Sequence, residues 1–165
     1  LGKKDGVVSL LRVLILSKED GHGQETIFAK NLMKHCSHME RKIQIVWSFM
    51  RHLEFAPDWI KRNFIENEMR NFHVVLIPIT HNLHRLAELI DLARTYSHLR
   101  LIPVHLGHPL FPSDFRILSG YPIRPSDYFP RHGWPIMTLP PSEQEQAYVE
   151  LVQELDRLAD LPRPR

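Results

Sequence analysis

Glu88 stands four residues after His84 in the run His81-Asn-Leu-His-Arg-Leu-Ala-Glu88. On a helix that spacing puts the imidazole and the carboxylate on one face. A carboxylate held in a cleft can bind a ribose hydroxyl or stabilise a developing cation. The plainer reading is a solvated helix glutamate, or one set against the positive N-terminal end of its helix. The chain also holds 11 histidines, and three pairs have the spacing His-x-x-His: His35/His38, His81/His84 and His105/His108. Two histidines three apart on a helix can meet one metal ion. A metal site built from His81, His84, His105 and His108 is therefore one expectation. Chance spacing in a histidine-rich chain is the simpler account, and no His-Glu-x-x-His run supplies a base.

Other chemistry is excluded by missing motifs. No G-x-G-x-x-G follows the first apolar run, and no G-x-x-x-x-G-K-[ST] occurs, so the backbone has no glycine cradle for a pyrophosphate. No G-x-S-x-G elbow supports a hydrolase triad. A phosphoacceptor receiver would need an aspartate where this chain has Ile79-Thr80. The lone cysteine, Cys36, rules out an internal disulfide and falls on an apolar helical stripe, as an inert core thiol would. Trp47, Trp59 and Trp134 read as core or rim packing.

These residues need elements to hold them. Leu11 to Ser17, Ile43 to Phe49, Phe72 to Ile79 and Leu99 to Leu106 are short, apolar runs rich in β-branched residues. Such runs suit strands buried on both faces of a parallel sheet. Pro78 lacks a donor and predicts fraying at the end of the third strand. Between the strands, Gln24 to Ser37, Trp59 to Arg70 and His81 to Ser97 keep helical apolar spacing. In the second of these the stripe is Ile60, Phe64, Ile65 and Met69, with Asp58 as the expected cap. Residues 107–134 carry five of the 13 prolines, with room for one helical turn over Ser113 to Leu118. A loop this long in a compact domain is functional or an insertion. Pro135 to Thr138 suggests a short fifth strand at an edge. Ser142-Glu-Gln-Glu145 has the form of a capping box ahead of an amphipathic helix through Tyr148, Leu151, Val152, Leu155 and Leu158.

Alternation of this kind predicts an α/β fold: a flavodoxin-like, doubly wound, five-stranded parallel sheet, order 2-1-3-4-5, with helices on both faces. Ligands of such sheets bind at the carboxyl ends of the strands, which directs attention to Ser17, Asp20, His22, Thr80, His84 and Glu88. At 165 residues the chain is one domain, with its core over about 11–159, expected to be part of a longer protein. Lys and Arg total 21 against 19 Asp and Glu, too even a balance for a dedicated nucleic-acid binder. No apolar run approaches a membrane span, no signal-peptide pattern opens the chain, and a reducing, cytoplasmic setting is expected.

The layout resembles the Toll/interleukin-receptor (TIR) domain and its SEFIR-like relatives, over roughly Arg12 to Ala159. Val13-Leu-Ile-Leu-Ser17 followed by Glu19-Asp20 is similar to the family's first strand and acidic turn. His52-Leu-Glu-Phe-Ala-Pro-Asp58 occupies the place of its flexible loop, without the usual glycine. Val74-Val-Leu-Ile-Pro-Ile-Thr80 and Leu101-Ile-Pro-Val104 resemble its central strands. His84-Arg-Leu-Ala-Glu-Leu89 sits where the family has Trp-Cys-x-x-Glu-Leu, keeping the Glu and the Leu. The resemblance implies one of two functions. Some TIR domains cleave NAD at the nicotinamide-ribose bond with the glutamate that matches Glu88. NAD would then be a substrate, with no tightly bound cofactor, and Ser17, Asp20, His22, Thr80 and His84 would line the site. Others are non-catalytic adaptors in signalling or innate defence that pair with like domains. Here Leu53, Glu54, Phe55, Pro57 and Asp58 would form the contact loop, with a fused sensor or scaffold domain elsewhere in the protein.

Overall fold

A computed structural model describes residues 10–17, 23–47, 57–81, 83–107, 116–120 and 123–162. Four strands, β1 (Leu11–Ile15), β2 (Ile43–Trp47), β3 (Val74–Ile79) and β4 (Arg100–His105), form one parallel sheet in the order β2-β1-β3-β4. Four helices, α1 (Gln24–His35), α2 (Asp58–Met69), α3 (Ala87–Arg94) and α4 (Pro141–Ala159), cover it.

Side-chain alternation explains the three layers. Leu11, Val13 and Ile15 point to one face, where they meet Phe28, Ala29 and Leu32 of α1 and Tyr148, Leu151 and Leu155 of α4. Leu14 and Leu16 point to the other, with Val75, Ile77 and Ile79. There they meet Ile65 and Met69 of α2 and Leu89, Ile90 and Ala93 of α3. All six residues of β3 are buried, because its strand lies between neighbours and beneath helices on both sides. No helix among the described residues is long and apolar enough to cross a membrane.

Pro78 does not fray the strand on both sides. Pairing of β3 with β4 continues through Pro78↔Val104 to Ile79↔His105, whereas pairing with β1 stops at Ile15↔Leu76. The Leu16 N–H donates to the Leu76 carbonyl at 3.1 Å, so even-numbered residues of β3 turn their polar groups toward β1. The donor that Pro78 lacks would thus face the gap where β1 has already departed, and no ladder bond is lost. The sheet opens between β1 and β3 at this point.

Several expectations are corrected. Residues 135–138 are not a fifth strand. Ile136–Thr138 is a 3-10 turn, with the Thr138 N–H on the Pro135 carbonyl at 3.1 Å. Prolines at 135, 140 and 141 leave too little chain with donors for a ladder. Beyond β4 the described residues place only a one-residue parallel bridge, Val104↔Phe129. The expected helix over 81–97 begins as a 3-10 turn, Leu83–Leu86, and is α-helical only over α3. Neither side-chain cap forms: Asp58 is the first residue of α2 after Pro57, and α4 starts at Pro141, ahead of Ser142. Proline at the first helical position is already set for the helix and has no N–H to satisfy. The helical turn expected near 113–118 is present over 116–118.

Candidate functional site

The carboxyl ends of β1 and β3 deliver Ser17 and Thr80, and both are buried. The helix that enters from this edge, α1, brings Glu25 and Thr26 in its first turn, also buried. None of these four residues lacks a partner. A fully buried carboxylate is costly unless it is paired or hydrogen-bonded. Glu25, which no pattern in the sequence singles out, is thus an acid built into this edge among the described residues. Gly107, just past β4, lies against the neighbouring Gln24. A Cβ on Gly107 would fall 2.0 Å from the Gln24 Oε1, so the Gln24 side chain rests where any larger residue at 107 would displace it.

Glu88 occupies the first turn of α3, on the chain that leaves β3 at Thr80. It is exposed, and so is His84 in the preceding 3-10 turn. The edge therefore brings Ser17 and Thr80 inside and leaves Glu88 and His84 on the surface. Asp20 and His22 lie outside the described residues, as do Leu53, Glu54 and Phe55 of the expected contact loop. Pro57 and Asp58 are described, and both are exposed. Just past them Trp59 is 68% exposed, and Ile60 is exposed too, where a buried stripe was expected. The side chain of Phe64 lies outside the described set. Trp134 is also exposed, against the expectation of packing, while Trp47 is partly buried against the core.

The metal hypothesis gains no support from the geometry. His81 and His84 are exposed, His105 is buried at the end of β4, and His108 lies outside the described residues. Among the described residues no group of three or more His, Cys, Asp or Glu is gathered closely enough to hold an ion. The other pair is also divided: His38 is exposed, whereas the His35 Nδ1 lies 2.8 Å from the Asn31 carbonyl and its ring stacks on Tyr148. Cys36 is buried on the inner side of α1's end, and burial pushes its thiol up to about 11. It is an inert core thiol, as its place in the stripe predicts.

Compared with protein-family profiles, with curated proteins and with solved structures, the chain finds no match in any of the three.

Proposed function

We propose that the chain is a TIR-like or SEFIR-like signalling or defence domain that acts by self-association, on a flavodoxin-like layout and in a cytoplasmic setting. The observation that carries this reading is the exposed pair Trp59 and Ile60 at the start of α2. They directly follow the segment that matches the contact loop of the resembled family. Indole surface in water is favourable to cover, and tryptophan is prominent among the residues that dominate interfaces. The partner is a second copy or a like domain, with the segment from Leu53 to Ile60 as its seat.

A second reading rests on a separate observation, the exposed carboxylate of Glu88 at the carboxyl edge of the sheet, on the helix that follows Thr80. In this reading association encloses Glu88 and completes a site for cleaving NAD at the nicotinamide-ribose bond. The carboxylate would engage the ribose and the oxocarbenium-like transition state, with Ser17, Asp20, His22, Thr80 and His84 around it.

Sedimentation over a concentration series tests the first reading. The wild-type protein is expected to pass from monomer to dimer or higher species, and Trp59→Lys to weaken that step by about tenfold or more. A wild-type protein that stays monomeric at the highest soluble concentration overturns it. Nicotinamide release from NAD, measured above the association midpoint, tests the second. Release is expected from the wild type and not from Glu88→Ala, and release that survives E88A removes Glu88 from the chemistry.

A further inference from the structure

The first half of α4 forms one wall of an open groove of about 440 Å³ that neither reading above uses. Glu143, Ala147 and Glu150 line it from the helix, and His132, Trp134 and Leu139 from the segment that leads into the helix. Positions 143, 147 and 150 are four and three residues apart, the spacing of a single helix face. With α1, α4 packs on the face of the sheet opposite α2 and α3. The groove therefore shares no element with Trp59 or Glu88.

The wall that carries Trp134 is fixed. The Gly133 N–H donates to the Pro130 carbonyl at 2.9 Å, and Gly133 adopts a φ of 85°, which favours glycine. The Trp134 N–H donates to the His132 Nδ1 at 3.1 Å. Past this turn Ile136 is buried in the core, and the Met137 N–H donates to the Leu106 carbonyl at 3.0 Å. The Gln144 side-chain amide reaches back to the Leu139 carbonyl at 2.8 Å, which ties the two walls together. The chain on both sides of Trp134 is thus held, yet its side chain stands 66% exposed. Indole surface held in water by an ordered turn is favourable to cover.

The groove is acidic. Glu143 and Glu150 bring two carboxylates, and no lysine or arginine is among the described residues that line it. Other acids of α4 are engaged elsewhere: Glu145 lies 3.4 Å from the His35 Nε2, Glu154 pairs with Arg157, and Asp156 and Asp160 both meet Lys42. Arg131, next to the groove in sequence, is turned to the Ser126 carbonyl at 2.5 Å, to the Phe129 ring and to Glu154 at 3.8 Å. Seven residues along a helix separate Glu143 from Glu150 by about 10 Å of rise. A compact cation can meet one of them, whereas a chain with a charge at each end can meet both. Its methylenes would cross the small Ala147 between them and cover the indole, whose face also attracts an ammonium group.

We propose that this groove binds a linear aliphatic polyamine. One end of the polycation meets Glu143, the other meets Glu150, and the methylene chain lies over Ala147 against the Trp134 indole. The whole chain has a formal net charge of +2, so the overall field does not attract polycations and the groove itself must supply the affinity. The site is independent of Glu88 and of the surface at Trp59, so it stands or falls apart from the proposed function.

Calorimetric titration of the full chain with spermidine at low ionic strength tests the site, with the singly charged butylamine and an arginine-containing peptide of spermidine's charge as comparison probes. Spermidine is expected to bind at one site per chain with a Kd below about 1 mM and to weaken as salt is raised. Butylamine is expected to bind at least about tenfold more weakly. The double variant Glu143→Gln with Glu150→Gln is expected to weaken spermidine about tenfold, and Trp134→Ala about fivefold. All three side chains lie outside the core clusters, so these variants test contact rather than folding. No saturable binding of spermidine, equal binding of butylamine, or no effect of the glutamate variant or of W134A overturns the proposal. Tighter binding of the arginine peptide than of spermidine also overturns it, and makes the groove a seat for a basic protein segment.

Discussion

Cys36 illustrates how one residue reports its surroundings. Burial pushes its thiol up to about 11, so near neutrality the folded protein keeps it protonated. The unfolded chain ionises it at the ordinary value near 8.5. The thiol's pKa is higher in the folded state, so its contribution to stability is complete below the ordinary value. That contribution is lost as pH climbs toward about 11. At pH 8 a chromogenic disulfide reagent is expected to react with the native protein about 100-fold more slowly than with the urea-unfolded chain. Equal rates would place Cys36 outside the core. Glu88 and Glu25 make the opposite point about acids. The first was visible as a candidate because its spacing to His84 is a pattern along the chain. The second was not, because its burial is a tertiary outcome at the start of α1 that no periodicity along the chain encodes.

At the scale of elements, α4 carries the largest testable contrast. Its inner residues Tyr148, Leu151 and Leu155 are buried against α1 and β1, and Phe28 stacks on Tyr148 at 5.9 Å. Leu155→Ala is expected to cost about 2–5 kcal/mol in urea unfolding, because the hole it leaves lies in a close-packed layer. Ser142 precedes this helix in a capping-box pattern, yet Pro141 is already helical and Ser142 makes no cap bond. Ser142→Ala should therefore change stability by less than about 0.5 kcal/mol, whereas loss of a working cap costs about 1 kcal/mol. A loss of the larger size would restore Ser142 as the cap. The strands β1, β3 and β4 were legible because they are buried along nearly their whole length, which makes them almost unbroken apolar runs, whereas β2, half-buried at the edge, is interrupted by the exposed Gln44. The fifth position was not, since a one-residue bridge at Phe129 leaves no run to read. The helical stripe of α2 was half legible: Ile65 and Met69 are inside, but Ile60 has the same spacing and lies outside. Spacing predicts a face, and only the neighbouring element decides how far along the helix that face is covered.

For the molecule as a whole, parallel layering was readable from alternation alone, while the sites were not. The described residues between β4 and α4 are held by Arg94 on the Ile117 and Ser119 carbonyls and by Arg100 on Asp127, contacts that no pattern along the chain encodes. The outer flank of β4 has a further consequence for how copies meet. On that flank Phe129 has taken the Pro103 carbonyl at 2.9 Å and the His105 N–H, and Pro103 has no donor to offer. A strand arriving from another copy would find its docking rail interrupted. Growth of a continuous ribbon from that flank is therefore blocked by construction.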